Sequence, residues 1–212
     1  WLQGGSLAAF TALLDFARKN PAILTEDAWF HSRFGWNVLQ ALYNRWLPGH
    51  AFLDFYWTWR MTMSSLLSLL AAPLPPARCY HALCTGYAGL YMARASLETA
   101  TPSLITEHGI YTNERNIEIA AAEWLDDGRA LNLEFSAGGA DDLKKYLMRF
   151  FQAAAATSYG VARKIVTLFE DNKPLQIADG AAPEKLVVIP NGIDTAQFET
   201  LPVFKDRPPT VA

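Results

Sequence analysis

A histidine set between an acid and a glycine, at the end of a short apolar run, is where this chain is best equipped for chemistry. Ser103-Leu104-Ile105-Thr106 leads directly into Glu107-His108-Gly109-Ile110-Tyr111. Histidine is the side chain whose ordinary pKa lies closest to neutral, so it serves as a proton carrier or as a hydrogen-bond donor to an anion. A turn after a buried strand holds such a group rigidly yet leaves it open to solvent. Gly109 removes a side chain where a ligand would approach the backbone. Glu107, its neighbour in the run, points to the other side of the strand, so the two need not act as a pair. The competing reading of His108 is a loop residue that caps the helix after it.

A second candidate is Thr85-Gly86-Tyr87-Ala88-Gly89, a small-residue turn opening a helix. Backbone N–H groups at a helix start suit a phosphate or a sugar hydroxyl, although the spacing matches neither a dinucleotide fingerprint nor a P-loop. The same residues would also make an ordinary strand-to-helix turn. His81, inside the preceding run, reads as a satisfied core histidine rather than a ligand. A third strand end is Lys185-Leu186-Val187-Val188-Ile189 leading into Pro190-Asn191-Gly192-Ile193-Asp194.

The elements that must position these residues alternate. Apolar runs at 77–83, 103–106, 164–169 and 185–189 read as strands, and helical patterns lie between them. That order argues for a parallel sheet with right-handed crossovers. In such sheets ligands sit outside the carboxyl ends of the strands, so those ending near Leu83, Thr106 and Ile189 should line one edge. The clearest amphipathic helix begins at Asp141 and Asp142 and turns Leu143, Tyr146, Leu147, Phe150, Phe151, Ala154 and Ala155 to one side. Asp126-Asp127-Gly128 reads as a turn.

Ahead of the strands the chain is helical in pattern, over residues 6–18, 26–47 and about 52–71, with Pro73, Pro75 and Pro76 closing the region. Eleven of the 27 aromatic residues fall between Trp29 and Trp59. Rings at helical spacing usually build a core, and stacked on a sugar face they would serve a carbohydrate protein. The expected organisation is a helical aromatic-rich portion over 1–76, a Rossmann-like portion over 77–200 and a linker over 201–212.

Composition narrows the classes. A net charge of −3 gives no electrostatic case for nucleic acid. Cys79 and Cys84 lack the further ligands of a zinc site, and read as free thiols. The most apolar run, Met61 to Ala72, covers 12 residues where a bilayer span takes about 20. Without a basic start and a cleavage site in the first 20 residues, a soluble cytoplasmic protein is expected. The opening at Trp1 and the close at Ala212 read as those of a piece of a longer chain.

Four segments together resemble the PelF-type, family-4 retaining glycosyltransferases of Pel exopolysaccharide synthesis. They are His81 to Leu90, Leu104 to Arg115, Leu175 to Gly180 and Val188 to Asp194. The Ile-Pro-Asn-Gly-Ile-Asp motif marks the wider family-4 group, and Thr-Glu-His-Gly-Ile-Tyr narrows it. The resemblance runs from about residue 77 to the end. It implies the N-terminal, acceptor-side half of a two-domain GT-B fold, with the reaction in the cleft between two Rossmann-like halves. It implies a catalytic role for His108 near the anomeric carbon of the donor sugar. Thr85, Gly86, Tyr87, Glu107, Gly109, Tyr111, Asn191 and Gly192 would then be donor- or acceptor-binding. The substrates would be a UDP-sugar and a growing polysaccharide, with no metal and no further cofactor, and the work would be done at the inner face of the inner membrane beside Pel export components. The Glu-x7-Glu motif and the phosphate-binding Arg and Lys of the donor half are absent from these residues. Two alternatives stand beside this reading: a non-catalytic interaction module that docks through the aromatic helices, and a family-4 transferase of another pathway. An exposed patch among Trp29, Trp36, Trp46 and Trp57 would favour docking, and a cleft rimmed by Thr85, His108 and Asn191 would favour the enzyme.

Overall fold

The computed structural model describes residues 7–49, 51–122 and 140–198. The turn expected at 126–128 and the linker expected at 201–212 lie outside these residues. Helices α1 (Leu7–Lys19), α2 (Glu26–Phe30), α3 (Arg33–Trp46) and α4 (Phe52–Ala71) come first. Strands and helices then alternate: β1 (Tyr80–Ala82), α5 (Tyr87–Thr99), β2 (Ser103–Glu107), α6 (Tyr111–Ala120), α7 (Ala140–Val161), β3 (Lys164–Thr167), α8 (Lys173–Ala178) and β4 (Leu186–Val188). The fold is α/β and Rossmann-like.

All strand pairs are parallel and the order is β1-β2-β3-β4, with Ile105 opposite both Ala82 and Ile165. The expected sheet is therefore present, and its carboxyl ends share one edge. Three of the strands are shorter than the apolar runs that announced them. β1 in particular keeps only three of the residues expected over 77–83, Tyr80–Ala82.

Alternation along the strands divides the sheet faces. Tyr80, Ala82, Ile105, Ile165 and Leu186 enter one core with Phe10 and Leu14 of α1, Leu66, Leu69 and Leu70 of α4, and Phe150, Ala154 and Tyr159 of α7. Each large apolar side chain buried there contributes about 1.5–3 kcal/mol. The other face carries His81, Leu104, Thr106, Val166 and Val187, none of them fully buried. His81 corrects an expectation here. It is exposed, and its Nε2 lies 2.9 Å from the Thr106 hydroxyl on the open face rather than in the core.

A second core is aromatic. Phe55 and Trp59 of α4, Leu39 of α3, Leu47, and Leu143, Tyr146 and Leu147 of α7 close around one another. Edge-on ring pairs, such as Phe30 with Trp59 at 5.3 Å and Phe55 with Tyr146 at 5.9 Å, set its geometry. The single helix expected over 26–47 is two. Ser32 caps a new start by accepting from the Gly35 N–H at 3.1 Å, and α2 turns against α3 so closely that a Cβ on Gly35 would sit 1.9 Å from the Trp29 carbonyl. Side-chain periodicity runs across the break because both helices pack on the same neighbour, α4. No helix among the described residues is long and apolar enough to cross a membrane.

Candidate functional site

The parallel register brings the loops after all four strands to the carboxyl edge, and three of them carry predicted residues: 83–86 after β1, 108–110 after β2, and 189–194 after β4. Neighbouring parallel strands lie about 4.8 Å apart. The loops after β1 and β2 are therefore direct neighbours, and the loop after β4 is two strands from His108.

Beneath these loops lies a buried polar cluster centred on Glu107, which is 1% exposed. Its Oε2 accepts from the Tyr159 hydroxyl and from Gln176 Nε2 at 2.9 Å, and its Oε1 accepts from the Thr85 hydroxyl at 3.2 Å. Burial pushes the Glu107 carboxyl above its ordinary pKa, and the hydrogen bonds from Tyr159, Gln176 and Thr85, with the nearby Tyr111 backbone N–H, oppose that rise. Tyr159 is pushed up as well, by burial first and then by the Glu107 charge.

The turn itself is clamped from the next helix. Thr112 donates to Asp179 Oδ2, linking the first turn of α6 to the end of α8, and burial raises the Asp179 carboxyl against that hydrogen bond. Ile110 is buried and precedes α6 in an extended conformation. His108, by contrast, is exposed on the turn.

The predicted residues thus divide. His108, Asn191 and Gly192 are solvent-facing at the carboxyl edge. Thr85 is fully buried with its hydroxyl committed to Glu107, and Glu107 has no open face. Gly86 is covered by Tyr111, whose ring would lie 2.5 Å from a Cβ at that position. The space Gly109 leaves is occupied by the Glu114 carboxylate, 2.3 Å from where a Cβ would be. Tyr87 turns inward against Phe150 and Phe151, with ring centroids at 5.5 and 6.1 Å. Tyr111 is half-buried, packed on Phe151 at 5.9 Å with the Arg115 guanidinium 5.2 Å from its ring.

Sequence reasoning assigned no role to Tyr159, Gln176, Asp179 or Ser158. Ser158 donates to the Ala154 carbonyl at 2.7 Å and reaches the Thr85 carbonyl at 3.3 Å, joining α7 to the first loop. A signal for it was available: the α7 stripe Leu147, Phe150, Ala154 continues at Ser158, a polar residue on an apolar face. Gln176 and Asp179 carry no such signal, because their partners lie about 70 residues away in sequence.

Among the four tryptophans whose exposure bears on docking, Trp36 is 48% and Trp57 60% exposed, whereas Trp29 and Trp46 are half-buried. Leu53, Trp57 and Met61 form an exposed row at four-residue spacing along α4.

No curated protein and no solved structure matches this chain. One family model does, over residues 3–184, a span that takes in α1 to α8 and the first three strands and stops just before β4. It is described as a domain of unknown function, and the chain belongs to that family, DUF3492.

Proposed function

We propose that this chain is the acceptor-side half of a GT-B retaining glycosyltransferase of the PelF type, which transfers a hexose from a UDP-sugar to a growing exopolysaccharide. The observation that carries the reading is the common edge of four parallel strands, to which His108 and the Asn191-Gly192 segment are brought while all three residues stay open to solvent. An exposed imidazole on a rigid turn is suited to donate a hydrogen bond to a sugar hydroxyl or a departing diphosphate. Charge building up on a leaving diphosphate is stabilised by donors already in place. In this reading the nucleotide is held by a second Rossmann-like half, and this half presents His108 across the cleft.

The test is transfer by the protein with both halves present. His108→Ala should lower turnover at least a hundredfold without lowering the melting temperature, since an exposed turn residue contributes little packing. Turnover equal to wild type would remove the role. The residues described here should bind UDP-glucose no more tightly than millimolar in calorimetric titration. Two or three hydrogen bonds, each contributing about 1 kcal/mol net, do not offset the roughly 4 kcal/mol or more lost on immobilising a ligand.

The exposed row Leu53, Trp57 and Met61, with Trp36 of α3 packed on Phe52 at the start of α4, favours a second reading in which this face docks on a protein of the export machinery. Trp57→Ser should then abolish co-purification with that machinery while leaving sugar transfer intact.

A further inference from the structure

We infer that Glu107 is a positioning residue: its buried carboxyl fixes the turn that carries His108, and it does not itself meet a ligand. The inference rests on the role proposed above for His108, but the geometry behind it is independent of any substrate.

Three elements converge on one side chain. Thr85 donates from the loop before α5, Tyr159 from α7 and Gln176 from α8. His108 and Gly109 therefore sit between two fixed points, the Glu107 side chain before them and Thr112, which donates to Asp179, after them. Of the three donors, Thr85 lies on a loop that reaches the carboxyl edge, and the other two anchor the carboxyl to helices packed beneath.

Gln176 supplies a second observation. Its Nε2 serves Glu107, yet its Oε1 is buried without a hydrogen-bond partner among the described residues. A half-turn of that amide exchanges the two atoms. A carboxamide at position 107 would then donate to Gln176 Oε1 while its own oxygen accepted from Thr85, with the Tyr159 hydroxyl turning to accept. The site is therefore built to tolerate Glu107→Gln and no apolar replacement.

Hydrogen exchange on this chain, read residue by residue, tests the inference with Glu107→Gln, Glu107→Leu and Tyr159→Phe. In Tyr159→Phe and Glu107→Leu, amide exchange at Gly109, Ile110, Tyr111 and Thr112 should rise at least tenfold more than at Ile165 and Val166 in β3. The His108 ring signals should broaden in the same two variants. Glu107→Gln should stay within about threefold of wild type at the turn. Exchange rising equally in turn and strand, or no change at the turn in Tyr159→Phe, overturns the positioning role. If Glu107→Leu does not fold, Tyr159→Phe decides, because it removes one hydroxyl and keeps the ring. A failure of sugar transfer in the two-half protein would sink the proposed function and leave these exchange results standing, so the two failures are distinguishable.

Discussion

One helix supplies two opposite interiors. The N-terminal half of α7 places Leu143, Tyr146, Leu147 and Phe150 against large rings and aliphatics. Its C-terminal half buries Ala153, Ala154, Ala155, Thr157, Ser158 and Tyr159, and from it Tyr159 donates to Glu107 and Ser158 reaches the Thr85 carbonyl. The aromatic interior is held by area and shape, which are tolerant of modest repacking. The polar interior is held by paired donors and acceptors, where loss of one partner strands another in low dielectric. Small residues on α7 let its backbone come close enough for Ser158 to reach the loop after β1 and for Tyr159 to reach the end of β2. The site end of the molecule is therefore specified atom by atom, and the far end by bulk.

The contrast is broken most sharply by removing bulk. Phe55→Ala, at 0% exposure in the aromatic core, should cost about 3–5 kcal/mol in chemical denaturation. Hydrogen exchange at the His108 turn, measured relative to the global unfolding free energy, should be unchanged. A turn that loosened beyond the global change would show the two interiors to be one.

A smaller effect is expected at the loop contact. Gly86→Ala would drive a Cβ into the Tyr111 ring and should cost about 1–3 kcal/mol. Tyr111→Leu, which removes the ring atoms, should recover much of that loss in a double-mutant cycle. Simple additivity of the two substitutions would mean that the strain is taken up elsewhere.

The smallest effect is in pH dependence. A carboxyl whose folded pKa is raised above its unfolded value contributes stability that is full below the unfolded pKa and is lost as pH rises through the folded one. Glu107 is raised by burial, against donors from Thr85, Tyr111, Tyr159 and Gln176, with Asp179 also near Tyr159. Wild type should therefore fall in melting temperature relative to Glu107→Gln as pH climbs from about 4.5, the ordinary glutamate range, toward neutral. A difference that stays flat or reverses sign would show that the donors outweigh desolvation.

The alternation of strands and helices, the parallel sheet and the apolar stripe of α7 were legible in the chain before it folds. Each follows from side-chain periodicity within one segment, and local sterics and burial read that periodicity directly. His108 was legible as an exposed strand-end residue for the same reason. Tertiary structure alone decided that Thr85 and Glu107 turn to each other instead of to solvent, and that Tyr111 lies over Gly86. It also decided that Gln176 and Asp179 complete the cluster from α8. Those contacts join residues about 20 to 70 positions apart. No local pattern encodes them, because a buried polar group needs only a partner of the right chemistry, and any of several donors in the chain would have served until packing brought one within reach. The break between α2 and α3 belongs with them: the ring pattern is continuous across it, and the Ser32 cap and the close approach at Gly35 made the division.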